Sequence, residues 1–182
     1  MTEDFSITLI QCPCWGRESP PLAIALLTGN LRNRGYRVHL FDLNNEFYHI
    51  VSERHKKLWR QEEETFWGSP ESAKELIEYY NVEIQVEVKK ILEKDSQLVG
   101  FSVNYSSLNF TLEIARRIKN NSPDTLIVLG GPGTVEYFGG LRLLENSSID
   151  AIVLREGDET LLQMCVDLKE KGCFAKIPGL VF

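Results

Sequence analysis

Five short aliphatic runs constrain this chain more than any other feature: Ile7 to Ile10, Val38 to Leu43, Leu98 to Val103, Thr125 to Leu129 and Ala151 to Leu154. Each has the length of a strand and is rich in Val, Ile and Leu. Only the second, with His39 and Asp42, alternates with polar residues. Runs without alternation belong to strands covered on both faces, the condition of a parallel sheet sandwiched between helices.

Helical periodicity fills the intervals. From Pro20-Pro21, the run Leu22-Ala23-Ile24-Ala25-Leu26-Leu27 leads to Gly35. Proline suits a first turn and glycine a C-terminal stop. Apolar on most sides, this helix is expected to be well buried. Leu108, Leu112, Ala115 and Ile118 recur at steps of four, three and three, behind Ser106 or Ser107 as cap and ahead of Pro123. A last helix runs from Asp158-Glu159-Thr160 to Gly172 with Leu161, Cys165 and Leu168 on one stripe. A further short helix is expected within Val135 to Glu145, against the preference of Gly139-Gly140.

The interval Asn44 to Gln97 is too long for a loop. Ile77, Tyr80, Ile84, Val88 and Ile91 predict a long helix there, preceded by another with a turn at Gly68-Ser69-Pro70. The aromatic residues Phe47, Tyr48, Trp59, Phe66 and Trp67 are expected to pack this insertion on the sheet rather than to form a ligand lid.

The alternation predicts an α/β fold: a three-layer αβα, doubly wound, parallel five-stranded sheet, flavodoxin-like or Rossmann-like, with a helical insertion at about 45–96 between strands 2 and 3. Five strands around one core favour the flavodoxin-like order. The tail Ile177 to Phe182 adds a possible edge strand, where proline is tolerated. One domain covering 1–182 is expected.

Against 26 acidic residues stand 20 basic ones, a formal charge of -6, with no stripe of Lys and Arg. That excludes a nucleic-acid backbone as the main partner. No apolar run approaches the roughly 18 residues of a membrane span. The start, Thr2-Glu3-Asp4, is acidic where a signal peptide is basic. A cytoplasmic protein with no membrane partner is expected, its Cys12, Cys14, Cys165 and Cys173 reduced thiols rather than metal ligands or disulfides.

Ligands of open α/β sheets bind beyond the carboxyl ends of the strands. Four loops occupy those positions: Gln11 to Ser19, Asn104-Tyr105-Ser106-Ser107, Gly130-Gly131-Pro132-Gly133-Thr134, and Arg155 to Thr160. The glycine-rich one allows positive φ and close approach of a ligand to bare N–H groups. Neither G-x-x-x-x-G-K-[ST] nor a G-x-G-x-x-G after strand one is present, which removes support for nucleotide triphosphates and dinucleotides. His39, His49 and His55 lie outside the four loops, so a Ser/His/Asp or Cys/His site is not expected. Glu156, Asp158 and Glu159 are the acid–base candidates, although helix-start stabilisation accounts for them. Strand three ends in Ser102-Val103-Asn104 where a phospho-receiver carries aspartate. No catalytic and no metal-ligating residue is assigned.

Several segments occur in a telling order: Pro20 to Ala25, Arg34-Gly35-Tyr36 leading to Phe41-Asp42, Val99-Gly100-Phe101-Ser102, Ala115 to Lys119, Gly130-Gly131-Pro132, Glu156-Gly157-Asp158-Glu159-Thr160 and Ile177-Pro178-Gly179-Leu180. In this order the chain resembles the N-terminal cobalamin-binding-type domain of radical-SAM enzymes. The resemblance implies a flavodoxin-like module whose strand-end loops hold cobalamin. Its cofactor-binding positions would be Ser102, Asn104, Ser106, Gly130, Gly131, Pro132, Gly133, Thr134, Glu156 and Gly157.

The sequence also departs from that pattern. The loop after strand one lacks the Asp-x-His-x-x-Gly of corrinoid proteins, implying binding without a histidine cobalt ligand. Ala23 stands where glycine is common, Gly133 where histidine is common, and Arg155 where glycine often precedes Glu-Gly. The C-x-x-x-C-x-x-C motif is absent, so the iron-sulfur cluster and S-adenosylmethionine would belong to a C-terminal radical-SAM barrel of the native chain. This chain would then be the N-terminal fragment, binding rather than catalysing. Two other readings stand beside it: a degenerate docking domain of the same fold, and a stand-alone enzyme using the carboxylates after strand five.

Overall fold

A computed structural model describes residues 5–18, 20–135, 140–174 and 176–182. The sheet consists of β1 (Ser6–Gln11), β2 (Arg37–Asp42), β3 (Leu98–Ser102), β4 (Leu126–Gly130), β5 (Ala151–Val153) and β6 (Leu180–Val181). Its order is β2-β1-β3-β4-β5-β6. The first five run parallel; β6 pairs antiparallel with β5 and supplies the edge expected of the tail. The order 2-1-3-4-5 is the flavodoxin-like one.

The helices are α1 (Leu22–Asn33), α2 (Leu43–Ile50), α3 (Glu53–Lys56), α4 (Glu64–Gly68), α5 (Pro70–Tyr79), α6 (Asn81–Leu92), α7 (Leu108–Asn121) and α8 (Asp158–Lys171). Short 3-10 segments cover Lys57–Trp59, Gln61–Glu63, Pro132–Thr134 and Gly140–Glu145. No helix among the described residues is long and apolar enough to cross a membrane.

Side chains alternate across the sheet, producing two cores. Ile7, Leu9, Leu98 and Val128 face α1 and α8, meeting Ile24, Leu31, Leu161 and Met164. Ile10, Phe101 and Leu129 face the insertion and α7, meeting Phe47, Trp59, Trp67, Ile84, Val88 and Ile114. Phe47, Trp59 and Trp67 are buried in that second core, as packing of the insertion on the sheet requires.

Several local expectations change. Helix α1 is not well buried: Leu22 is 62% and Leu26 59% exposed, and only Ile24, Thr28 and Leu31 are covered. It lies over the β1–β2 side of the sheet with α8 as its helical neighbour, so one stripe meets the core and the rest faces out. The long insertion helix divides at Tyr80 (φ -104°, ψ 29°) into α5 and α6, while the buried stripe Leu76, Ile77, Tyr80 and Ile84 continues across the break.

The helix after β3 is not capped by Ser106 or Ser107 side chains in the expected way. Asn104 Oδ1 accepts the Ser107 N–H at 2.7 Å, and Ser107 Oγ accepts the Asn104 N–H at 3.0 Å, a reciprocal arrangement like a capping box. Of the helix expected within Val135 to Glu145, Gly140–Glu145 is 3-10 and residues 136–139 lie outside the described ones. Helix α8 stops as expected, with Gly172 left-handed at φ 70°.

Candidate functional site

In the order 2-1-3-4-5 the chain leaves β1 toward one side of the sheet and β3 toward the other, so a crevice opens between their carboxyl ends. A cleft of about 1020 Å³ lies there. Its walls are Cys14 to Glu18 after β1, Asn104 and Ser106 after β3, and an insertion wall that includes Tyr48, Lys57, Trp59, Arg60 and Glu64.

Polar side chains fix these walls. Ser106 Oγ donates to the Cys14 carbonyl at 2.9 Å, and Asn104 Nδ2 donates to the same oxygen at 3.3 Å. Asn44 Oδ1 accepts the Trp15 N–H at 3.0 Å and the Trp59 indole N–H at 2.8 Å. The Arg17 guanidinium lies 3.5 Å from the centre of the Tyr48 ring, a cation–π contact reaching from the β1 loop to α2. Lys56 approaches the same ring at 5.3 Å and is paired with Glu53.

Of the positions expected from sequence, Asn104 and Ser106 line the cleft. Ser102 is half-buried at the end of β3, in register with Gln11 and Gly130. The glycine turn packs down on the β3 loop instead of leaving its N–H groups bare. Val103 N–H donates to Gly130 at 2.7 Å and Gly133 N–H to Val103 at 2.8 Å. Gly131 has φ +98°, and a Cβ there would stand 2.8 Å from the Val103 carbonyl oxygen; at Gly133 it would stand 2.8 Å from the Asn104 carbonyl. Thr134 is buried, its hydroxyl donating to Gly131 at 2.8 Å, and Pro132 is exposed. Glu156 is exposed beyond β5, and half-buried Gly157 packs toward Val153 and Leu27. None of these residues outside the β3 loop is in the cleft wall.

The cleft carries four cations, Arg17, Lys56, Lys57 and Arg60, and four glutamates, Glu18, Glu53, Glu62 and Glu64. Burial, reinforced by Glu64, pushes the Cys14 thiol up to about 12. Burial pushes the Cys12 thiol up to about 12 as well, with neighbouring Thr111 opposing the shift. Both are thiols at neutral pH, which does not suit nucleophilic attack. Among the described residues no group of three or more His, Cys, Asp or Glu is placed to hold a metal ion. The histidines stand away from the cleft wall, with His55 Nδ1 2.7 Å from Tyr80 Oη. Of the candidate acids, Asp158 accepts from Asn30 Nδ2 at 3.0 Å, tying α8 to α1.

The sequence places the Gln11 to Ser19 loop at the ligand end of the sheet without singling out Trp15 or Arg17, and it does not mark Tyr48, Trp59 and Arg60 of the insertion wall or Asn44 behind them. The available signal was the strand order itself, since any 2-1-3 arrangement opens its crevice beside the loop after β1.

Comparison with known proteins supplies the family. The B12-binding domain family matches residues 73–164, from α5 through β3, β4 and β5 into α8. A protein named as an uncharacterized methyltransferase of Pyrococcus horikoshii is 32% identical over 87 residues, a match covering 47% of this chain and 18% of that protein. The chain therefore spans less than a fifth of that relative's length. With half its residues matched and a flavodoxin-like sheet beneath them, the chain belongs to the B12-binding domain family.

Proposed function

We propose that this chain binds cobalamin in the cleft between β1 and β3 and presents it to a catalytic domain, a radical-SAM barrel that carries the iron-sulfur cluster and S-adenosylmethionine. The observation that carries the reading is a cleft of about 1020 Å³ at the switch point of a B12-binding-family sheet. That is the upper end of ordinary cofactor pockets, roughly 300–1,000 Å³, as a bulky macrocycle needs.

The lining residues fit such a ligand. A Cβ at Gly16 would meet nothing within 4 Å, so the main chain there is open to a close neighbour. Arg17, Lys57 and Arg60 complement the phosphodiester of the nucleotide tail, and Trp15 and Trp59 give apolar surface beside the ring. Gly131 and Gly133 serve indirectly, seating the loop from which Asn104 and Ser106 project. When bound, cobalamin supplies a cobalt centre able to carry a methyl group. No histidine is among the lining residues, which supports binding without an imidazole below the metal. Methyl transfer as the reaction of the whole protein is suggested by the name of the Pyrococcus relative.

Titration with hydroxocobalamin tests the reading. A saturable change in the corrinoid spectrum with calorimetric heat is expected, unaltered when His39, His49 and His55 are replaced one at a time. An unchanged spectrum with no heat would overturn it. That outcome would favour a docking domain without ligand, a reading supported by the closed packing of Gly131 and Gly133 on the β3 loop.

A further inference from the structure

The two walls of the cleft come from separate parts of the chain. Trp15 lies in the loop after β1, and Trp59 ends the 3-10 turn Lys57–Trp59 of the insertion. Beside the Arg17–Tyr48 contact, one buried atom joins these two tryptophans, since Asn44 Oδ1 accepts from both, at 3.0 and 2.8 Å. A carbonyl oxygen has two lone pairs, and both are used here.

Asn44 is well placed to act as a fixed strut. It is 4% exposed, the second residue of α2, with Leu43 before it and Phe47 after it in the buried core. The start of α2 is itself held, with Asp42 Oδ1 accepting the Asn45 N–H at 3.0 Å. Asn44 does not line the cleft, whereas Trp15 and Trp59 do. The Trp59 donor has little freedom to drift, because Trp59 is 6% exposed, tilted against Phe47 and edge-packed on Tyr48 and Trp67.

We infer that Asn44 is the positioning residue of the cleft: by accepting from Trp15 and Trp59 at once, it sets the separation of the β1 loop and the insertion wall, and with it the width that a ligand meets. The ligand side of this inference rests on the corrinoid reading; the tie between the walls does not. A side chain of equal bulk without an acceptor oxygen would fill the space and free the walls. One that keeps an oxygen at the same reach would hold them.

The test compares the full chain with Asn44→Leu and Asn44→Asp, adding Trp59→Phe, which removes one donor and keeps a ring. Circular dichroism and β3–β4 amide protection report the fold. Hydrogen exchange of the Trp15 amide and the Trp59 indole N–H reports the tie, and hydroxocobalamin titration reports the site. In Asn44→Leu, exchange at both tryptophans is expected to rise and hydroxocobalamin affinity to fall by about tenfold or more with the sheet still protected. Asn44→Asp should recover most of both, and Trp59→Phe should free the Trp59 side while Trp15 stays protected. Unchanged exchange at Trp15 in Asn44→Leu, or native affinity in a folded Asn44→Leu, would overturn the inference. Should Asn44→Leu fail to fold, Trp59→Phe decides: native affinity there overturns it and weakened affinity supports it. If the wild type takes up no hydroxocobalamin, the corrinoid reading fails, and the exchange data still decide the tie.

Discussion

The Ser106 hydroxyl donates to the main-chain carbonyl of Cys14 across 2.9 Å, joining loops 92 residues apart in sequence. Asn104 Nδ2 supports the same oxygen at 3.3 Å, so the carbonyl keeps one donor when the other is removed. Ser106→Ala is therefore expected to cost only about 1 kcal/mol, the net worth of one hydrogen bond. Asn104→Ala also removes the acceptor for the Ser107 N–H and should cost more, roughly 1–2 kcal/mol beyond the lost Cys14 contact. Urea denaturation of the two variants gives the ordering. Ser106→Ala as the more damaging change would refute it.

Glycine 131 and glycine 172 both have positive φ, at +98° and +70°, but their surroundings differ. A Cβ at Gly131 meets the Val103 carbonyl oxygen at 2.8 Å, and that atom belongs to main chain that cannot swing aside; at Gly172 nothing lies within 4 Å. Gly131→Ala combines the cost of a positive φ with ψ near 180°, a region essentially restricted to glycine, with overpacking and should cost about 2–5 kcal/mol. Gly172→Ala incurs the conformational cost alone, about 1–2 kcal/mol. Equal shifts in the denaturation midpoint would mean that the glycine turn is looser than its contacts indicate.

The same turn shows where reading a sequence stops. Gly-Gly-Pro-Gly after a strand announces backbone freedom, but whether a ligand or a neighbouring loop uses that freedom depends on how close β3 lies. The fold was legible because Leu98 to Val103 and Thr125 to Leu129 lack polar alternation, a local property that reports burial on both faces. The exposure of Leu22 and Leu26 was not, since an all-apolar helix looks the same however many neighbours it has. Half of the cleft stayed hidden for a related reason. Trp59 and Arg60 line it and Asn44 ties Trp59 to the β1 loop from behind, and nothing periodic in the insertion marks them.

Thiol chemistry gives an independent check on the site. Burial pushes Cys12, Cys14 and Cys165 up to about 12, leaving almost no thiolate at neutral pH. Cys173 is exposed, directly after Gly172, the residue that caps α8. Under native conditions a chromogenic disulfide reagent is expected to modify one thiol quickly and the remaining three slowly, and Cys173→Ser should abolish the fast phase. A second fast thiol mapped to Cys14 would mean that the cleft is more open to water than its walls suggest.

Glu46 makes stability depend on pH in a direction opposite to most carboxylates. It sits half-buried on α2 against Glu87 of α6, which is 5% exposed and accepts from Lys90 Nζ at 2.7 Å. The other Glu87 oxygen, Oε2, is buried without a hydrogen-bond partner, and a protonated Glu46 can supply Glu87 with a donor where an ionised one cannot. Burial first, then the hydrogen bond and charge of Glu87, raise Glu46 from its ordinary 4.5 to about 7, with Lys90 opposing and Asp42 adding to the shift. The folded chain thus keeps a proton that the unfolded chain releases between those values. Its contribution is fully present below about pH 4.5, shrinks as the pH rises toward 7, and is lost above that. His39 and His55, lowered by burial, act with the opposite sign, so the informative quantity is the difference from Glu46→Gln. The amide retains a neutral donor toward Glu87 and does not titrate. Relative to Glu46→Gln, the wild type is expected to lose stability steadily across this window in urea denaturation. A constant difference would show that Glu46 is already ionised where the two helices meet.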